Sequence, residues 1–366
     1  VVRAILAAAR DDDAIPRPGF PLMTSSNRAQ PRLQSFGALA LYLALAVFLL
    51  DRGFIGHPGY YIGRETDPPQ AMWFFKWWLY SLSHGLNPFL TDVVWAPLGI
   101  NLAWTTFVPL PAWISFPLQM TVGEPAAYNI IVTFALPLAA FSAFLLCRRV
   151  TGKFWPSMLG GYLFGFSPYM LAEVLGHLCL TAIFPVPLIV LAALRKIDGA
   201  ISARRFALVL AALLVVEFLC SVELFATVTL VGGFALLLAI ALFSGDVRVR
   251  MVALIIPAIV GYAIATVVLS PYFYYLLAYG IPHAPIWTPS RFSADVVGFL
   301  VPRETIWLGT ANLATRVAQN FRGYIFENGD YLGVALIVFV EIFRRRYWKS
   351  PAGKFLTILL LVACNR

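Results

Sequence analysis

Residues 206–243 run for 38 positions with only two charged side chains, Glu217 and Glu223. A helix needs about 20 apolar residues to cross a bilayer, so this stretch fits two crossings joined by a tight turn at Ser221, Val222 and Glu223. Further apolar runs recur along the 366 residues and predict helices at 36–55, 126–147, 154–174, 178–194, 206–221, 223–243, 251–270, 329–343 and from 355 onward. Such runs do not alternate polar and apolar residues as barrel strands do. Composition agrees: 60% of residues are hydrophobic and 12% charged, against about 25% charged in soluble domains. The expected fold is an all-α polytopic membrane protein of about nine transmembrane helices, with interfacial or re-entrant helices in the first outer loop.

The segment WTTFVPLPAWISFPLQMT at 104–121 is apolar enough to span but holds Pro109, Pro111 and Pro117, each of which removes a helix hydrogen bond. Charge decides its placement. If it does not span, and the N-terminus is cytoplasmic, the inside loops collect Arg148, Arg149, Lys153, Arg195, Lys196, Arg204, Arg205, Arg248, Arg250, Arg344, Arg345, Arg346, Lys349 and Lys354. If it spans, all of these move outside, against the positive-inside rule. It is therefore read as re-entrant or interfacial, within an outer loop 56–125. A second outer loop covers 271–328. Residues 1–33 read as a disordered cytoplasmic tail without a signal-peptide core, with Met23 as the true start. Residues 34–366 form the membrane domain, whose C-terminus is read as truncated.

The net charge of +9 lies in short clusters between apolar runs, which reports orientation rather than nucleic-acid binding. Cys147, Cys179, Cys220 and Cys364 show no CxxC spacing, so no zinc site or disulfide framework is expected. The same topology sends His57, His84, His177 and His283 to the outer face, with Glu65, Asp67, Asp92, Glu223, Asp295, Glu304, Glu327 and Asp330. Groups suited to proton transfer thus gather on one side. In the first outer loop, Pro68 and Pro69 suit a first helical turn. AMWFFKWWLYSLSHG then predicts a helix of about four turns, its tryptophans at headgroup height and Lys76 snorkelling. PYFYYLLAYG at 271–280 reads as an aromatic belt, and GGYLFG at 160–165 as small-residue helix packing.

Thr66-Asp67-Pro68, HGLNPFLTD at 84–92, VPLPAW at 108–113 and LLCRRVTGK at 145–153 follow one another in an order that resembles the polyprenyl-phosphate-sugar-dependent glycosyltransferases of the GT-C superfamily. The resemblance extends in pattern over 36–270. LFGFSPYMLAEVLGH at 163–177 and LIVLAALRK at 188–196 resemble uncharacterised bacterial membrane proteins grouped near that superfamily. This chain has Asp67-Pro68 where the superfamily often has Asp-Glu, and Val108-Pro109-Leu110-Pro111 where it often has Lys-Pro-Pro.

The resemblance implies a multi-pass protein of the bacterial inner membrane that takes a lipid-linked sugar as donor. Membrane lipids are its other partner, and nucleic acid is not. It makes Asp67 the catalytic base, which deprotonates an acceptor hydroxyl. The other reading of Thr66-Asp67-Pro68 is a helix N-cap. Glu65 is either a second candidate acid or a solvated one. His84, Asn87 and Asp92 are either sugar contacts or a helix C-terminus and turn around Gly85 and Pro88. Glu173 and His177, spaced i, i+4, either line a substrate cavity or form a structural pair. Arg291 and Arg303, or Lys76, are candidate clamps for a lipid phosphate, the alternative being ordinary loop charge. No ligand spacing supports a divalent cation or other cofactor. Two rival functions remain: a transporter or lipid flippase, and a non-catalytic subunit of envelope polysaccharide assembly.

Overall fold

A computed structural model describes residues 29–50, 57, 59–64, 66–106, 108–279, 295–321 and 329–364. Most of the expected N-terminal tail, with Glu65, His283, Arg291, Arg322 and Glu327, lies outside the described residues. The described fold is all-α except for a two-residue antiparallel pair, β1 (Leu90–Thr91) and β2 (Ile100–Asn101), in register Leu90 to Asn101.

The helices are α1 (Ala29–Leu50), α2 (Asp67–Ser83), α3 (Pro109–Val122), α4 (Glu124–Thr151), α5 (Phe154–Gly165), α6 (Pro168–Glu173) and α7 (Pro185–Ile197). After them come α8 (Ala203–Cys220), α9 (Val222–Leu242), α10 (Gly245–Val252), α11 (Ile255–Val268) and α12 (Ser270–Ala278). The chain continues through α13 (Asn312–Ala318), α14 (Val334–Tyr347) and α15 (Pro351–Cys364). Among the described residues, five stretches are long and apolar enough to cross a membrane: Leu33–Leu50, Glu124–Thr151, Leu178–Ile197, Val222–Leu242 and Gly245–Val268.

The other expected spans differ for local reasons. The run 154–174 is broken, because α5 stops at Gly165 and Ser167 starts α6 afresh. The Ser167 hydroxyl accepts from the Met170 amide, and Pro168 occupies the first turn, a strong helix-start signal. Helix α8 is long enough but begins with Arg204 and Arg205 and carries Glu217. Helices α14 and α15 have 14 residues each. The expected turn after α8 is present: Ser221 caps α9 through the Leu224 amide. The proline-rich segment forms α3, 14 residues or about 21 Å long, short of a bilayer's hydrocarbon core of about 30 Å.

Helix α4 is the hub. It packs against α1, α2, α3, α5 and α7. It ends on Gly152, whose φ of +68° and amide bond to the Arg148 carbonyl close the last turn, where Arg148 and Arg149 also favour the dipole. Its contact with α5 runs through glycines. A Cβ on Gly165 would lie 2.4 Å from the Ala140 nitrogen, and one on Gly161 2.5 Å from the Ala140 carbonyl oxygen, so the two backbones meet as small-residue packing allows.

Two hydrophobic clusters result. One gathers α2, α3 and the first half of α4 around Phe75, Tyr128, Val132 and Leu136; the other joins α7, α8, α9 and α11 around Leu210, Leu214 and Ala265. At one end of the bundle Arg148 donates to Gln34, and Arg149 pairs with Asp198, tying α1, α4 and α7. The opposite end carries the loops around Asp67.

The tryptophan helix differs from its expected setting. Trp77 and Trp78 are buried with Phe74 and Phe75 against protein, and the Trp77 indole donates to the Pro88 carbonyl at 2.9 Å. The exposed side chains of this helix include Lys76, 71% exposed, and Tyr80. The aromatic run at 271–280 also turns inward in part. Tyr272 is buried and donates to the Ala103 carbonyl at 3.0 Å, whereas Tyr274 stays exposed.

Candidate active site

The site begins with a clamp. Asn129, buried near the start of α4, accepts from the Ile62 amide at 2.7 Å and donates to the Tyr60 carbonyl at 3.0 Å. Two residues later the Arg64 amide donates to the Leu175 carbonyl at 2.7 Å. Between them Gly63 has φ of +122°, and a Cβ there would lie 2.7 Å from both the Leu175 oxygen and the Pro68 ring. Only glycine fits this backbone without strain. The segment 60–64 is thereby held against the turn after α6, which brings two distant pieces of sequence together.

Asp67 opens α2. Thr66 stands at the N-cap position but makes no side-chain capping bond, and its hydroxyl lies 3.5 Å from Asp67 Oδ1. The Asp67 carboxylate instead faces His177, with Oδ2 3.3 Å from Nε2. His177 Nδ1 lies 2.7 Å from Glu173 Oε2. The backbone supports this contact, because the His177 amide donates to the Glu173 carbonyl at 2.8 Å in the turn that ends α6. Side-chain exposure rises along the row, from 6% for Glu173 to 20% for His177 and 44% for Asp67. The row thus has a buried anchor and an open end.

The open end lies in a small cleft of about 40 Å³ lined by Asp67, Gln70, Thr106, His177 and Cys179 among others. The Tyr128 hydroxyl, buried beneath, has no hydrogen-bond partner among the described residues and lies within electrostatic range of Asp67, Cys179 and Tyr61. A carboxylate–imidazole–carboxylate row can hold and move a proton. With Glu173 accepting from Nδ1–H, the Nε2 lone pair faces Asp67 and can take a proton that Asp67 collects. Among the described residues no group of three His, Cys, Asp or Glu side chains is placed to hold a metal ion.

The remaining candidates lie apart from this cleft. Lys76 sits 3.8 Å from Glu124. His84 closes α2, stacked on Tyr80 with Nδ1 2.9 Å from the Tyr80 carbonyl, and Gly85 follows at φ of +65°. Asn87 accepts from the Phe89 amide and donates to the Tyr275 hydroxyl at 3.0 Å. Asp92 lines a second cleft beside β1 and β2. Arg303 donates to the Ala318 carbonyl and lies over the Phe321 ring, and burial lowers its pKa. Glu65 and Arg291 are outside the described residues.

Sequence reading missed Gln70, Thr106 and Tyr128. Gln70 was within reach, standing three residues after Asp67 on the same helix face. Tyr128 gave no signal, being one aromatic in an apolar run.

No curated protein matches the chain, and no solved structure matches it. A family profile described as a domain of unknown function, DUF6311, matches residues 36–365, and the chain belongs to that family.

Proposed function

We propose that this protein is a membrane glycosyltransferase of GT-C type, which moves a sugar from a polyprenyl-phosphate donor to an acceptor hydroxyl at the outer face of the bacterial inner membrane. The chain crosses nine times with its N-terminus in the cytoplasm. Four of the crossings use helices that are short (α14, α15), interrupted (α5 and α6) or charged (α8). Support for this orientation is the positive-inside count, joined to a fold in which the Arg148–Arg149 end and the Asp67 end of α4 are opposite.

The observation that carries the reading is the row Asp67–His177–Glu173, open to a cleft at its Asp67 end. The acceptor oxygen attacks the anomeric carbon as its proton passes to Asp67. The new C–O bond forms while the bond from that carbon to the phosphate oxygen breaks, and the lipid phosphate leaves with the electron pair. Configuration at the carbon inverts. Asp67 shares the proton with His177 Nε2, and the resulting imidazolium sits between two carboxylates. Glu173 is a positioning residue: it fixes the ring through Nδ1 and is too buried to meet substrate. Arg64, exposed and three residues before Asp67, is our candidate cation for the lipid phosphate. Lys76 and Arg303 are engaged with Glu124 and the Ala318 carbonyl.

The test is sugar release from lipid extracts by purified protein. Asp67→Asn lowers turnover by about 10²–10⁴-fold, the usual worth of a positioned base, while the protein stays folded. Glu173→Gln keeps the shape, weakens the hold on His177, and shifts the pH profile as well as the rate. Full transfer by Asp67→Asn overturns the proposal. Cysteine labelling of residue 67 and of the 148–153 loop from the same side overturns the orientation.

One observation favours a transporter instead. Glu217 is fully buried in α8, and neither carboxylate oxygen has a partner among the described residues. Ionisable groups at membrane depth often mark ion or proton paths. Solute flux that needs Glu217 and tolerates Asp67→Asn would establish that reading.

A further inference from the structure

Away from the Asp67 cleft, three rings stack in a row: Phe89 and Tyr275 with centroids 4.5 Å apart and planes at 12°, then Tyr275 and Tyr279 at 5.8 Å and 10°. The row is rigid at its inner end. Phe89 meets the buried Tyr272 edge-on, Asn87 holds the Tyr275 hydroxyl, and Asn101 donates to the Tyr275 carbonyl at 2.7 Å. The outer ring, Tyr279, is 53% exposed and lines an open cleft of about 520 Å³. The facing wall is the β1–β2 hairpin, which contributes Asp92. Among the described residues that carboxylate makes no hydrogen bond or ion pair, and no cation lines the cleft.

We infer that this second cleft binds a pyranose ring, with Tyr279 as its stacking plate and Asp92 as acceptor for its hydroxyls. A pyranose has an apolar C–H face and an edge of donors, so it needs both an aromatic surface and a nearby oxygen acceptor. The size falls within the range of small-ligand sites. Among the described lining residues the only charged side chain is Asp92, so the sugar ring rather than a phosphate is the part that this cleft contacts. Beyond the cleft the hairpin exposes Val93, Trp95 and Leu98, an apolar tip suited to the headgroup zone, where a lipid-linked sugar presents its ring. The inference deepens the glycosyl-transfer reading and rests on it for the role of the sugar. Binding itself is measured without any transfer.

Whole protein in nanodiscs of plain phospholipid is titrated with methyl glucoside, mannoside and galactoside, and separately with dodecyl maltoside, following saturation-transfer NMR. At least one ligand binds saturably. Tyr279→Ala and Asp92→Asn each weaken it about tenfold, as loss of a stacking face or a charged acceptor should, whereas Tyr279→Phe keeps it within about threefold. A strong preference for dodecyl maltoside identifies a lipid-linked sugar as the source, and parity with the methyl glycosides identifies a soluble glycan. Asp67→Asn leaves this binding intact, so a failed transfer assay with intact binding sinks only the catalytic reading. No saturable binding by any of these ligands, or binding indifferent to both Tyr279→Ala and Asp92→Asn, overturns the inference.

Discussion

The most apolar 18-residue stretches of α4 and α9 have equal mean hydropathy, yet half of the stretch in α4 is buried inside the protein and only 6% of the stretch in α9. Around α4 the protein supplies its own counter-surface, with aromatic rings, glycine contacts and the Asn129 clamp. Around α9 it supplies little: Leu230 and Leu237 are 73% and 67% exposed. Both stretches are equally greasy, but one is a core element and the other lies open along its length, apolar enough to face a bilayer. The candidate active site lies on the first kind of scaffold. A row of charged groups held within about 3 Å needs neighbours that do not exchange, and lipid cannot provide them.

The sharpest way to break this comparison is one substitution made in both places. Leu136→Ala, at a fully buried position of α4, costs about 2–5 kcal/mol through lost burial and a cavity. Leu230→Ala in α9 changes stability by less than about 0.5 kcal/mol. Thermal or denaturant unfolding in one detergent measures both. Equal losses would mean that α9 is covered by something other than lipid or detergent, and the contrast would fail.

Asn129→Ala gives the next largest effect. It leaves the Ile62 amide, on a residue 2% exposed, without its acceptor, at a cost of about 1–3 kcal/mol. The Tyr60 carbonyl lies on an exposed residue and regains water, so it adds little. Because the segment 60–64 leads toward Asp67, the proposed sugar transfer should fall further than stability does. A variant that loses stability but keeps full turnover would separate the clamp from the site.

The same contrast explains what could be read in advance. The start of α2 at Asp67-Pro68-Pro69, the turn at Ser221 and the pairing of Glu173 with His177 are local features, written within a few residues of each other. The contact of His177 with Asp67 and of Asn87 with Tyr275 depends on distant chain segments, which one sequence does not pair. Aromatic runs misled for a different reason. Trp77, Trp78 and Tyr272 are amphipathic, and the same ring and polar tip suit a lipid interface or a protein core with one hydrogen bond. Hydropathy gave the material of each helix but not its neighbour, so it could not foresee that α2 packs inward. The break at Ser167-Pro168 carried a cap signal that the apolar run around it outweighed.

The smallest predicted effect concerns acid–base behaviour, and it too divides the molecule. Asp330 precedes α14, beside Gly329, where a Cβ would lie 2.7 Å from Ala172 of α6. Its Oδ2 is buried without a partner among the described residues, and burial raises its pKa. An acid whose pKa is higher folded than unfolded holds its proton better in the native state. Its contribution to stability is therefore full below the unfolded value, about 3.9, and is lost as pH rises through the folded one. Melting temperature should decline over that window, and Asp330→Asn, which cannot ionise, should flatten the decline. Leu230→Ala, which removes no titrating group, should leave the slope as it is. If the Asp330→Asn protein kept the full decline, the carboxylate would have to be solvated, and the loop before α14 would no longer belong with the tightly packed half of the molecule.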